Sequence, residues 1–132
     1  MVSRVRERVD PKNVRLERGK GSRSRGGGPG GGYWHIHAGD RRVGFVYINV
    51  IDEPPFGEHA SIQIQINKSD QGRGIGGVAY RLVCEASGHD VIYAHMRKSN
   101  IASRRAAEEA GFVVIEHPAV RQLAMRWERN HG

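Results

Sequence analysis

Between residues 61 and 86 the hydrophobic period of the chain changes, and this change constrains the fold more than any other feature. Ser61-Ile62-Gln63-Ile64-Gln65-Ile66-Asn67 alternates strictly, as a half-buried strand does. From Ile75 the apolar residues fall at Ile75, Val78, Ala79, Leu82, Val83 and Ala86, one stripe of an α-helix. Gly88 ends that helix, and Val91-Ile92-Tyr93-Ala94-His95-Met96 reads as a second strand. A strand, a helix and a strand at this spacing form a right-handed crossover, so the two strands are expected to be parallel.

The remaining elements follow from the same signals. Tyr33-Trp34-His35-Ile36-His37 and Val43–Ile51 flank a Gly39-Asp40 turn and read as a hairpin. Asp52–Gly57 reads as a loop, because Pro54 and Pro55 cannot donate to a ladder. Ser99 or Asn100 caps a second helix that carries Ile101, Ala106, Ala107 and Ala110 and stops at Gly111. Phe112–Glu116 and Gln122–Trp127 are two further strand candidates. The order β-β-β-α-β-α-β-β defines an α/β chain of the α+β type, a mixed sheet with helices.

At 132 residues there is room for one domain. Residues 1–32 contain almost no large apolar side chains and include the run Gly21-Ser22-Arg23-Ser24-Arg25-Gly26-Gly27-Gly28-Pro29-Gly30-Gly31-Gly32. Such a stretch buries too little surface to offset its ordering entropy. The expectation is a flexible basic leader over 1–32, with one short strand near Val14–Glu17, and a folded domain over 33–132. Of the net charge of +7, residues 1–30 supply +6. The leader reads as a solvated segment, with an arm for nucleic acid or an acidic partner as the alternative.

Cys84 is the single cysteine, so no intramolecular disulfide or thiolate-rich metal site is expected. Its helical, apolar surroundings suit a small buried hydrophobe. No stretch reaches the roughly 18 apolar residues of a membrane span, and the start of the chain is charged. A cytoplasmic protein is expected, as monomer or homodimer.

The chemistry concentrates in Gln71-Gly72-Arg73-Gly74-Ile75-Gly76-Gly77, at the junction of strand and helix. Glycines let the backbone approach an anion, and the first N–H groups of the helix have no partners of their own. The helix dipole contributes only about 0.3–2 kcal/mol, so a diphosphate also needs a cation, for which Arg73 is the candidate. A Walker loop would end in Gly-Lys-Ser/Thr, whereas this one continues Gly76-Gly77-Val78. A dinucleotide fingerprint calls for an acid after the next strand, where this chain has Arg97-Lys98.

Gln71-x-x-Gly74-x-Gly76 after a strand, then Asn100-Ile101-Ala102-Ser103 and Ala110-Gly111-Phe112, resembles the GCN5-related N-acetyltransferases over about residues 43–128. The resemblance implies that fold, shortened at its N-terminal helices. It also implies N-acetyl transfer from acetyl-CoA to an amine: a small molecule, a protein N-terminus or a lysine. Carried over, Gln71, Gly72, Arg73, Gly74, Ile75, Gly76 and Gly77 line the coenzyme diphosphate. Ile64 and Ile66 offer backbone groups to the pantetheine where their strand splays away at a bulge, and Asn100 contacts the coenzyme or a bound water.

Two departures from the family stand out. Its usual general acid, a tyrosine seven residues after the asparagine, is Ala107 here. The two helices that normally wall the acceptor site are replaced by the glycine run, leaving the site open or completed by a partner chain. Candidate bases are Glu58, His59, Asp52 and Glu53, and Tyr93 and His95 can act as base or acid; Glu58 and Tyr93 are preferred as catalytic residues. His35, His37, Gln63, Gln65, Tyr93 and His95 share one strand parity, which puts them on one polar face that lacks the ligands to complete a metal site. A non-catalytic acyl-CoA-binding module and a nucleic-acid-associated protein are the alternative readings.

Overall fold

A computed structural model describes residues 6–130; residues 1–5 of the leader and 131–132 of the domain lie outside them. The strands are β1 (Val14–Gly19), β2 (Gly32–Ala38), β3 (Arg41–Glu53), β4 (Gly57–Ile66), β5 (Val91–Met96), β6 (Val113–Ile115) and β7 (Leu123–Glu128). Two helices, α1 (Ile75–Ala86) and α2 (Ile101–Glu109), complete the domain. The strands form one mixed sheet in the order β1-β2-β3-β4-β5-β7-β6. All pairs are antiparallel except β4–β5, the crossover expected from the change of period.

Three boundaries differ from the sequence reading. The short strand expected near Val14–Glu17 in the leader runs on to Gly19 and pairs with β2 along its whole length, from Val14–Ala38 to Gly19–Tyr33. Its hydrophobic signal is only Val14, which joins the core, and Leu16, which packs against it. β3 runs on to Glu53 and β4 starts at Gly57, so Asp52, Glu53 and Gly57 of the expected loop are paired in the strands and only Pro54–Phe56 form the turn. Asp52, Glu53 and Glu58 are exposed there, and backbone pairing continues without any apolar alternation to announce it. Finally, the β3–β4 register is unbroken from Gly44–Ile66 to Glu53–Gly57, so β4 carries no bulge against β3. The irregularity lies between β2 and β3, at Ile36/His37, where Val43 is the extra residue.

The sheet has two unlike faces. Trp34, Ile36, Val46, Ile48, Ile62, Ile92 and Ala94 point to the face covered by the helices, and form one core with Ile75, Ala79, Tyr80, Val83 and Ala107. Tyr33, His35, Phe45, Tyr47, His59, Tyr93 and His95 point to the other. The glycine run, expected to leave that side open, folds back over part of it. Gly26 N–H donates to Asn49 Oδ1 at 2.8 Å, Asn49 Nδ2 donates to the Ser24 carbonyl at 2.8 Å, and the Arg25 guanidinium lies 5.0 Å from the centre of the Phe45 ring.

Asp70 anchors the turn between β4 and the glycine loop. It ends a short 3-10 turn, Lys68–Asp70, and is 1% exposed, with both carboxylate oxygens accepting from Arg41 Nη2 at 2.8 and 3.0 Å. Arg73 Nη1 approaches the same carboxylate at 3.7 Å. Asp70→Ala strands two guanidinium partners, and is expected to destabilise the fold by about 1.5–3 kcal/mol, read as a lower urea midpoint at unchanged slope.

Candidate active site

β4 and β5 pair through Ala60–Ile92, Ser61–Tyr93 and Ile62–Ala94, and no further. Beyond Ile62 the edge of β4 that faced β5 has no strand opposite it. The orientation of its groups follows from the ladder. Asn67 N–H donates to Val43 O at 2.8 Å, so by alternation Gln65 and Gln63 also bond β3, and the N–H and C=O of Ile64 and Ile66 point into the gap. One of these groups is taken by the protein: the Ile66 carbonyl accepts from Gln71 Nε2 at 3.0 Å.

The gap opens into a cleft of about 420 Å³. Ile64, Ile66, Gln71, Gly72, Gly74, Ile75, Gly76, Gly77 and Asn100 all line it, so the structure brings together nine of the ten residues assigned to coenzyme binding. Gly72 and Gly74 have φ of +76° and +81°, the left-handed region that a side chain strains. Gly74 is also the N-cap of α1, leaving the first amides of that helix without a side-chain acceptor. Asn100 caps α2, its Oδ1 accepting from Ser103 N–H at 3.1 Å.

Arg73 is the tenth residue and does not line the cleft. Its Nε donates to the Glu7 carbonyl at 3.0 Å and its Nη1 faces Asp70. The cations that line the cleft are Arg8, from the leader, and Arg105, from α2. Sequence reasoning missed Arg8 because it lies 66 positions from Gly74 in a segment without periodicity. Ser103 and Glu109 were missed as well; both line the cleft from α2.

On the other face, just past Ala94, the last residue of β5 paired with β4, stands His95. Its Nε2 lies 3.0 Å from His59 Nε2, and His59 Nδ1 donates to the Gly57 carbonyl at 2.7 Å. That second bond sets the tautomers: with Nδ1 protonated, neutral His59 accepts at Nε2, so His95 donates from Nε2 and keeps the Nδ1 lone pair. Tyr93 lies edge-on to His59 and stacks on His95, and Phe56 lies against Tyr93 with ring centres 4.6 Å apart. Burial, and secondarily His59, lower the His95 pKa, with Glu53 opposing. Glu58 stays exposed opposite Asp52, four residues or about 13 Å of strand before Ile62. Tyr93 thus joins the cluster and Glu58 does not. Burial pushes the Cys84 thiol up to about 12, so it is protonated and inert at neutral pH. Among the described residues, no group of three or more His, Cys, Asp or Glu is placed to hold a metal, and no helix is long and apolar enough to cross a membrane.

The chain matches the Acetyltransferase (GNAT) domain over residues 3–113, most of its length, and belongs to that family. No curated protein matches it in sequence. Its fold is similar to that of AAC(6')-Ib in complex with paromomycin and acetyl-CoA, with a TM-score of 0.62, 19% identity and coverage of 76% of this chain and 66% of that one. It is also similar to the microcin C7 self-immunity acetyltransferase MccE with acetyl-CoA and AMP (0.59, 20%, 75% and 61%). A third likeness is to yncA from Salmonella typhimurium with acetyl-CoA (0.59, 20%, 78% and 67%). The chain therefore spans 61–67% of the length of these structures. At such identities the likeness establishes the fold, a GNAT fold built on seven strands and two helices.

The lowered His95 pKa has a consequence for stability. The unfolded chain takes up the proton at about pH 6.5, while the folded chain resists it until lower pH. The stability contributed by neutral His95 is thus full above that range and is lost as pH falls through it. Denaturant midpoints at pH 7.5 and 5.5 are expected to differ less in His95→Gln than in the native chain.

Proposed function

We propose that this protein is an N-acetyltransferase that uses acetyl-CoA and an amine acceptor. The observation that carries the reading is one continuous cleft in which the free edge of β4 at Ile64 and Ile66 leads to the glycine loop at the start of α1. An extended pantetheine arm can pair with such an edge as a strand would, and a diphosphate suits unpartnered amides reached through glycines. The residues fit the coenzyme on both counts, and similar folds have been crystallised with acetyl-CoA or coenzyme A. When bound, acetyl-CoA supplies an activated acyl group; the chain's task is to hold it, polarise its carbonyl and take a proton from the amine. An inward N–H of β4, at Ile64 or Ile66, is the donor for the carbonyl oxygen.

Proton removal is the larger demand. A lysine-like amine of pKa ~10.4 must lose a proton at a cost of about 4–5 kcal/mol at pH 7, whereas an α-amine near 8 requires far less. His95 is the proposed base in place of Glu58. It stands at the mouth of the gap, is kept neutral by burial, and its Nδ1 holds a free lone pair. Protonation at Nδ1 lets the Nε2 proton pass toward His59, while the Glu53 charge favours the cation formed. Tyr93 and Phe56 wall this relay against water.

The test is release of free thiol from acetyl-CoA across aminoglycosides, small amines, peptides with free N-termini and peptides with only lysine amines. The native chain is expected to turn over at least one class, and Gly74→Trp, whose side chain fills the cleft, is expected to abolish turnover. His95→Gln is expected to lower kcat by about 10²–10⁴-fold with coenzyme affinity retained. Coenzyme binding with no turnover on any amine would replace this reading with that of a binding module, to which the side chain at Ala107 is suited because it offers no acid.

A further inference from the structure

Residues 6–9 run along the outer side of the glycine loop and are bonded to it. Arg6 Nη1 donates to the carbonyls of Lys68 and Gln71 at 2.8 and 2.9 Å. Val9 N–H donates to Arg73 O at 2.9 Å, and Arg73 Nε returns a bond to Glu7 O at 3.0 Å. These bonds hold the backbone on either side of Arg8. Its guanidinium then reaches over Gly74, so closely that a Cβ built on that glycine would lie 2.7 Å from Nη2. Across the cleft Arg8 Nη2 meets Glu109 Oε2 at 3.5 Å. Glu109 itself presses on the first turn of α1, where a Cβ on Gly77 would come within 2.4 Å of Oε2.

Two features make this pair more than a surface contact. Both side chains are about half exposed or more, so their mutual attraction adds little to stability. Yet they meet at the end of α1 where the glycine loop offers unpartnered amides, and each lines the cleft. A carboxylate lies where negative charge is favoured, held by the guanidinium that a phosphate would also attract.

Arg105 also lines the cleft, but it is Arg8 that reaches over Gly74 at the start of α1. We infer that Arg8 is the cation at the glycine loop for the coenzyme diphosphate and that Glu109 competes with the diphosphate for it. The inference rests on the acetyl-CoA reading above and deepens it. The basic leader, read as an arm for nucleic acid or an acidic partner, has at this arginine a nearer anion to meet. The assignment also explains how the loop manages with Arg73 turned away to Asp70 and Glu7.

The two substitutions have opposite signs. In calorimetry with coenzyme A at low salt, Arg8→Gln is expected to weaken binding about tenfold or more. Glu109→Gln, which removes the competitor, is expected to tighten it about threefold, and to have no effect once Arg8→Gln is present. The loss in Arg8→Gln persists with 3′-dephospho-coenzyme A, which keeps the diphosphate. Circular dichroism of each variant confirms the fold. Arg8→Gln within twofold of the native chain overturns the assignment, as does weaker binding in both single variants, the result of a merely structural pair. A loss that vanishes with the dephospho ligand moves Arg8 to the 3′-phosphate and equally overturns it. A native chain that gives no heat with coenzyme A sinks the acetyl-CoA reading itself, and this assignment with it.

Discussion

β4 and β5 share a ladder for three residue pairs and then part, and the site follows from that divergence. Backbone groups inside a protein need partners. On β4 the odd-numbered residues find theirs in β3, which leaves Ile64 and Ile66 facing a gap. The crossover that begins at the end of β4 must turn back over the sheet at once, and glycines make the turn. It thereby sets the N-terminus of α1 at the end of the same gap. An edge that pairs with an extended chain and a helix end that favours anions are brought together by one connection. In open sheets, ligand sites gather outside the carboxyl ends of parallel strands for this reason.

The two faces of the sheet then divide the work. On the helix side, apolar residues from six strands close the core, and α2 supplies the far wall of the cleft through Asn100, Ser103 and Glu109. On the other side, the gap emerges beside a wall of aromatic and imidazole rings. The glycine run bounds that side in place of helices. Its need for glycine is steric at Gly26, which has φ of +81° and whose Cβ would fall 2.2 Å from the Gly32 carbonyl oxygen. A chain too poor in apolar residues to pack as a helix still finds a fixed path when a side-chain amide, that of Asn49, satisfies its backbone on both sides.

What could be read in the sequence was what is local. The change of period at residues 61–86 gave the crossover and its parallel strands, and the glycine spacing located the cleft. Strand parity placed His95 and Tyr93 on one face, because side-chain direction alternates whatever the tertiary setting. Relations across distant segments were not legible. His59 meets His95 over 36 positions, and only the β4–β5 register brings them together. The direction of Arg73 depends on Asp70 and on the Glu7 carbonyl, neither of which leaves a mark in the pattern. β1 was faint because an edge strand with two inward apolar residues looks like any polar segment; its evidence is the ladder to β2.

The substitution of alanine at the family's acid position is intelligible in energetic terms. Ala107 is fully buried on the core-facing side of α2, and has no proton to give. The hydroxyl pair nearest along α2 is Ser103 with Tyr80, 3.2 Å apart, and burial raises the Tyr80 pKa, which makes the phenol a poor donor. An alkyl thiol has pKa ~8.5, so leaving as the thiolate and not the thiol costs roughly 2 kcal/mol at pH 7, regained when water protonates it. A lysine-like amine, with a pKa about 3.4 units above pH 7, costs more than twice as much to neutralise. On the proposed reading, a missing acid leaves a step that water can complete, whereas a missing base would stall the reaction. That reading matches what the described residues offer: Ala107 gives the proposed leaving group no proton, and two hydrogen-bonded imidazoles stand where the amine is proposed to arrive.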